Sequence, residues 1–193
     1  MAAIVFKLKE YKTMKTIQIN KKEIPVFCTV EEADQYFAER FGGDIWEEQT
    51  EENKKRAIVT ATRKLNQLNF KGFQVEPTQP LAFPRLFKPN FLSKRSYALE
   101  AKAITVRGKE YIYIEACEEM MFACCEEAAS IVQSTENSIH IKNQKMGIAS
   151  ANIMGDSVSY TGSGAAIKTA EENICPEALF YIDKFITTTA RVV

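Results

Sequence analysis

Residues 111–133, YIYIEACEEMMFACCEEAASIVQ, show the clearest helical periodicity in the chain. At about 100° per residue, the apolar side chains form one stripe, which consists of Cys117, Met120, Met121, Cys124, Ala128 and Ile131. The opposite face carries carboxylates and one large aromatic side chain: Glu115, Glu118, Glu119, Phe122 and Glu126. We therefore predict one amphipathic helix over 111–133 with its cysteines in the core. An aromatic residue among carboxylates is typical of a protein contact, so the second set is a candidate inter-subunit face.

Two shorter helices are predicted before this stretch. Thr29 begins T-V-E-E, a capping box, and the helix that it starts should run to about Phe41, where Gly42-Gly43 ends it. A second helix should begin after Thr50, since apolar residues recur at helical spacing from there to Leu68. Trp46, between the two helices, is predicted to anchor their packing.

The flanking segments predict extended elements and one more helix. Residues 16–27, TIQINKKEIPVF, alternate like one or two short strands or an extended arm. Prolines should break regular structure between 74 and 90. Residues 144–163 favour a β-hairpin or an extended arm, and Pro176 suits the first position of a short C-terminal helix.

The predicted fold class is mainly α (α+β): a small bundle of three core helices plus a C-terminal helix, decorated with short strands and a hairpin. We predict three regions: an N-terminal strand or arm over 1–25, a helical core over 26–137 with an insertion at about 88–109, and a hairpin or arm with the C-terminal helix over 138–193.

Composition narrows the functional classes. The chain has 193 residues, 46% of them hydrophobic, with 25 Lys+Arg against 25 Asp+Glu. Zero net charge argues against a protein that coats nucleic acid or an anionic membrane. No run reaches the roughly 18 apolar residues of a membrane helix, and the N-terminus lacks the pattern of an export signal. We expect a cytoplasmic product with no membrane partner.

Charge is unevenly distributed along the chain. Residues 88–109 are strongly basic, whereas 110–136 hold seven acids and no base. Such segregation is typical of surfaces that meet partners or neighbouring copies. The alternative is that these are solvated faces of separate elements.

No group of residues in the sequence has the spacing of a catalytic, metal-binding or nucleotide-binding site. Five cysteines are unevenly spaced, and His140 is the only histidine. Neither a disulfide framework nor a zinc site has such spacing. The glycines match no nucleotide-binding loop. We expect no cofactor, no metal and no enzymatic activity.

One segment resembles a nucleic-acid contact. Residues 83–97, FPRLFKPNFLSKRSY, interleave aromatic and basic side chains, with candidate contacts at Arg85, Phe87, Lys88, Phe91, Lys94 and Arg95. Stacking aromatics beside cations are what single-strand binding requires. The alternative, favoured by zero net charge, is a proline-rich arm that packs its aromatics on a neighbour and leaves its cations in water.

Several motifs in order resemble a domain common among tailed bacteriophages. They are A-D-Q-Y-F (33–37), Trp46, A-T-R-K-L (61–65), L-A-F-P-R (81–85), E-A-C-E-E (115–119), G-D-S-V-S-Y (155–160) and P-E-A-L (176–179). Members are labelled DnaT-like single-stranded DNA-binding proteins or head-tail connectors. The similarity covers about residues 26–87 and 110–187.

The connector label implies a structural protein of the virion neck, present in the host cytoplasm before assembly. Such proteins form a homo-oligomeric ring, commonly of twelve copies, beneath the portal protein. The ring extends the channel for packaged DNA, without sequence-specific binding, and docks the next neck or tail-completion protein. In that setting the carboxylate face would line the channel or meet the adjacent copy. The DnaT-like label gives the alternative, a single-stranded DNA-binding protein whose affinity falls with salt and depends on Phe87 and Phe91.

Overall fold

The computed structural model describes residues 14–89, 102–106, 108–115, 118–136, 150–153, 156–159 and 173–187. Its helices are α1 (Val30–Ala38), α2 (Asp44–Glu47), α3 (Glu51–Leu65), α4 (Glu118–Glu136) and α5 (Pro176–Ile182), the last followed by a 3-10 turn (Asp183–Phe185). Its strands are β1 (Thr16–Ile19), β2 (Lys22–Pro25), β3 (Phe73–Gln74), β4 (Arg85–Phe87), β5 (Lys102–Val106), β6 (Lys109–Ile114), β7 (Ser150–Ile153) and β8 (Asp156–Ser159).

Local signals start the first helices where the sequence predicts. The Thr29 hydroxyl accepts from the Glu32 amide at 3.3 Å, and the Glu32 carboxylate accepts from the Thr29 amide at 3.0 Å. This completes the capping box of α1. The hydroxyl of Thr50 caps α3 in the same way, by accepting from the Asn53 amide. α1 ends at Ala38, so Phe41 lies beyond it and is fully exposed.

A four-stranded antiparallel sheet, ordered β3-β4-β6-β5, is the main departure from the predicted fold. Residues 111–114, expected to be the first turn of the long helix, lie in β6, and α4 begins only at Glu118. The physical reason is that Tyr-Ile-Tyr-Ile consists of aromatic and β-branched residues. It pairs with 102–106 across a turn in which Gly108 has φ +74°. The basic segment 88–109 therefore supplies a strand.

The sheet shares one core with the helices. Phe87, Ile112 and Ile114 of its inner face are buried in the same apolar cluster as the helices. α4 packs against both α3 and α5. The predicted fold class, a helical bundle with decorating strands, is therefore wrong. The chain is α+β, because the sheet contributes to the core.

The predicted apolar stripe of the long helix is confirmed where the structure describes it. Met120, Cys124 and Ala128 are fully buried, whereas Cys117 lies outside the described residues. Trp46 is buried as an anchor, and its indole N–H donates to Asp34 Oδ1 at 2.8 Å.

Short hairpins and the last helix complete the fold. β1 pairs with β2 and β7 with β8, as the alternation in these segments indicates. Pro176 occupies the first turn of α5. β4 forms within 74–90, where prolines were expected to exclude regular structure, because its residues lie between the prolines. None of the helices in the described part of the chain combines the length and the apolar character of a membrane-spanning segment.

Candidate nucleic-acid interface

The predicted carboxylate face of α4 packs largely inside the molecule. Glu126 is buried, where it accepts a hydrogen bond from the Tyr36 hydroxyl and pairs with Arg40 at 2.9 Å. Burial raises the pKa of Tyr36, and the hydrogen bond to Glu126 raises it further. The Phe122 ring centroid lies 5.3 Å from that of Tyr36 and 5.4 Å from that of Tyr181. The aromatic side chain is thus explained by contacts within the chain.

The other three carboxylates of the predicted face, Glu115, Glu118 and Glu119, differ in exposure and contacts. Lys184 pairs with Glu119 at 2.5 Å. Glu118 is exposed and Glu115 is half-buried. Of the predicted channel or inter-subunit face, Glu126 and Phe122 instead make contacts within the chain, because α1 and α5 pack against them.

A second buried carboxylate, Glu127, is missing from the sequence-based set. It is 1% exposed, accepts from the Cys175 amide at 2.7 Å and pairs with Lys64 at 2.5 Å. It thereby joins α3, α4 and the start of α5. Adjacent carboxylates on a helix are usually solvated, so no local signal in the sequence could reveal the burial of Glu127.

The basic-aromatic segment has a structural function in its first half. Arg85 donates to the backbone carbonyls of Phe70, Lys71, Gly72 and Ala82 at 2.9–3.2 Å. Burial lowers the pKa of its guanidinium. The bonds tie the chain after α3 to β4, so Arg85 has four of its N–H groups already engaged.

Phe87 cannot stack on a base. It is fully buried, with its ring centroid 6.0 Å from that of Phe185, so its predicted role in DNA binding is wrong. Lys88 is exposed. Phe91, Lys94 and Arg95 lie outside the described residues.

A different aromatic and basic surface lies on the outer face of the sheet. The strand register aligns Phe73, Leu86, Tyr113 and Lys102 in one row across all four strands. Because side chains alternate between faces, this row lies opposite the buried Phe87, Ile112 and Ile114. The same outer face carries two further cross-strand pairs: Tyr111 with Ile104, and Lys109 with Val106.

Exposure distinguishes the members of this outer face. Phe73 is 57% exposed, and Lys102 and Lys109 are exposed as well. Tyr111 is half-buried, whereas Tyr113, in the middle of the row, is only 3% exposed and offers no surface for stacking. The outer tyrosines do not belong to the apolar cluster that the inner face joins. The face therefore offers aromatic surface next to two cations.

An open cleft, here called the amide cleft, lies beside the sheet edge formed by β3. Its volume is about 590 Å³, and four side-chain amides line it: Asn66, Asn69, Gln74 and Gln79. Gln74 directly follows Phe73 in β3, so the cleft and the outer face share an edge strand. In the described residues no cluster of His, Cys, Asp and Glu could hold a metal ion.

A family model described as "Putative DnaT-like ssDNA binding protein" matches residues 20–172. The chain belongs to this DnaT-like family. The matched range includes α1 to α4 and the whole four-stranded sheet. No curated protein and no solved structure matches the chain.

The family match corrects the functional interpretation of the sequence. The DnaT-like family is described by single-stranded DNA binding, and no comparison supports a phage head-tail connector. The neck-protein interpretation is therefore wrong. The ring, the portal protein and the downstream neck partner were inferred from that interpretation alone and are not carried further.

Proposed function

We propose that this DnaT-like protein binds single-stranded DNA on the outer face of its four-stranded sheet. The observation that carries the proposal is the row that joins Phe73 to Lys102, with Tyr111 and Lys109 on the same face. The family description supports the same ligand. The proposed function is binding, without catalysis.

Aromatic side chains on this face suit bases of any sequence. Every base has a π-face, and stacking on an aromatic side chain contributes about 1–3 kcal/mol per base. Phe73 and Tyr111 lie on strands two places apart and are offset by two residues along the strands, so about 12 Å separates them on the sheet. A strand stacked on both rings would pass over the half-buried Leu86 between them.

Cations at the two ends of the β5–β6 pair suit the phosphates. Lys102 and Lys109 are exposed on β5 and β6. A chain with zero net charge must attract DNA through such a local arrangement. Each phosphate neutralised on a single strand contributes about −0.7 to the slope of log affinity against log salt, so these two lysines should contribute about −1.4.

Fluorescence anisotropy with a labelled oligothymidylate tests the proposal. We expect the double variant Phe73→Ala/Tyr111→Ala to weaken binding at least tenfold, given the stacking energy above. We expect Lys102→Ala/Lys109→Ala to flatten the salt dependence. Wild-type protein that does not bind the oligonucleotide would contradict the proposal.

Matched variants control for surface changes elsewhere. Phe180 is 80% exposed on α5, so Phe180→Ala removes an exposed aromatic side chain outside the sheet. Lys21 and Lys22 are exposed at the β1–β2 turn, and Lys21→Ala/Lys22→Ala removes an equal charge. Both controls should bind like the wild type. If they weaken binding as much as the sheet variants do, the interface lies elsewhere.

A further inference from the structure

The amide cleft has a lining that selects the chemistry of its ligand. Besides the amides, it has an apolar floor that includes Leu68 and Phe70, and one guanidinium, that of Arg85. Among the described lining residues there is no carboxylate, which a metal cation would need. Four of the five Arg85 N–H groups already bind carbonyls, so only one donor remains for a phosphate. The lining suits a neutral, flat ligand with both donors and acceptors.

The inner amides are held in place by the backbone around them. Gln79 donates to the carbonyls of Leu81 and Pro84 at 2.8 and 3.0 Å, which uses both of its N–H groups. The Asn66 amide nitrogen donates to the Pro80 carbonyl at 3.0 Å, and its oxygen accepts from Ala82. These bonds fix the shape of the cleft before any ligand enters.

The rim amides retain hydrogen-bonding capacity. Among the described residues, Gln74 uses one N–H, which donates to the Leu81 carbonyl at 3.2 Å, so a second N–H and the side-chain oxygen remain. Asn69 is exposed, and its position is fixed by its carbonyl, which accepts from Thr187 at 2.8 Å. A side-chain amide with one donor and one acceptor available matches the N7 and N6 edge of adenine, which Asn and Gln bind in a bidentate manner.

We infer that the amide cleft holds one base of the bound strand and that it prefers adenine; this inference rests on the proposed function. Phe73 and Gln74 are neighbours in β3 whose side chains point to opposite faces of the sheet. A strand that stacks on Phe73 therefore passes over the sheet edge beside the cleft. The stacking face would provide affinity, and the cleft would provide base preference.

Oligonucleotides that differ in a few bases test the inference. Anisotropy would compare an oligothymidylate with one in which every third base is adenine, and with a third that carries 7-deazaadenine at those positions. We expect the wild type to bind the adenine-containing strand about tenfold more tightly, which is the discrimination of one bidentate contact. The 7-deaza analogue lacks the N7 acceptor and should bind like oligothymidylate.

Variants separate the cleft from the stacking face. Asn69→Leu/Gln74→Leu should abolish the adenine preference, so that the variant binds the adenine-containing strand and oligothymidylate with equal affinity. Gln133→Leu, which changes an exposed amide on α4 outside the cleft, should leave the adenine preference unchanged. An adenine preference that survives the double variant would overturn the inference.

The two proposals fail in different ways. Equal wild-type affinity for all three strands overturns the cleft inference and leaves DNA binding intact. If no strand binds, the proposed function fails, and NMR titration of the Asn and Gln side-chain amides with deoxyadenosine monophosphate decides the cleft separately. Shifts at Asn69 and Gln74 with this nucleotide, but not with thymidine monophosphate, would support a nucleotide site. Equal shifts with the two nucleotides, or no shifts with either, would overturn the proposed nucleotide site.

Discussion

Arg40 and the buried carboxylate of Glu126 form a 2.9 Å ion pair that joins the turn just after α1 to the middle of α4. Tyr36 donates to the same carboxylate, and its hydroxyl also lies 3.2 Å from that of Tyr181 on α5. A buried carboxylate is tolerated only where such partners compensate for its lost hydration. Three helices are therefore coupled through one side chain.

Removal of the Glu126 carboxylate should destabilise the fold. We expect Glu126→Ala to lower the free energy of unfolding by about 1–3 kcal/mol, the cost of leaving buried polar partners without their bond. Arg40 is partly exposed and can regain water, which keeps the cost moderate. Urea denaturation measures the effect. Glu118→Ala, at an exposed position of the same helix, should stay within about 0.5 kcal/mol of the wild type, and equal losses in the two variants would contradict the network.

Helical periodicity predicted which residues of α4 share a face, but it could not predict what covers each face. The apolar stripe was assigned to the core correctly, since burial of Met120 and Cys124 follows from hydrophobicity. Burial of Glu126 depends on Tyr36 and Arg40, which are about 90 residues away. Such distant partners leave no trace in the local pattern.

The four-stranded sheet was not predicted from the sequence for a related reason. The alternation of Ile112 and Ile114 is compatible with a strand, but a strand also needs partners, and here they come from two other segments, β4 and β5. The outer face arises only from that register, which places Phe73 in line with Lys102. The sequence indicated aromatic and basic side chains together in residues 83–97, whereas the proposed interface takes them from β3, β5 and β6.

Arg85 should be required for stability rather than for DNA binding. Arg85→Lys keeps the charge but cannot reproduce four carbonyl contacts, because an ammonium lacks the planar fork of a guanidinium. We expect a loss of about 1–3 kcal/mol in the free energy of unfolding, measured by urea denaturation. The folded variant should keep its affinity for oligothymidylate. An unchanged denaturation midpoint together with weakened DNA binding would instead place Arg85 in the interface.

Two glycines with positive φ should respond differently to alanine. Gly72 (φ +75°) would place a Cβ 2.4 Å from the Leu86 carbonyl oxygen, whereas Gly42 (φ +80°) has open space around it. Gly42→Ala should therefore cost only the backbone strain, about 1 kcal/mol. Gly72→Ala adds a clash within the β3–β4 pair and should cost at least 1 kcal/mol more. Thermal denaturation of both variants gives the comparison, and equal losses would show that β3 moves away without cost.

Alkaline pH should weaken the fold through its buried thiols. Burial raises the pKa of Cys175 from 9.0 to about 12. The pKa of Cys28 is also raised, by a hydrogen bond with the Cys125 thiol, whose sulfur lies 3.4 Å away, and by burial. Above pH 9 the unfolded chain loses these protons while the folded chain keeps them. The free energy of unfolding should therefore fall as pH rises from 9 towards 12.

The contribution of Cys175 can be isolated by one substitution. Cys175→Ala removes the thiol but preserves the backbone amide that donates to Glu127. Urea denaturation at pH 8, 9.5 and 11 should show a smaller loss of stability for this variant than for the wild type, because one proton-linked group is gone. Lysines and tyrosines titrate in both proteins and cancel in the difference. Identical pH dependence would mean that the Cys175 thiol ionises as readily in the folded chain as in the unfolded one.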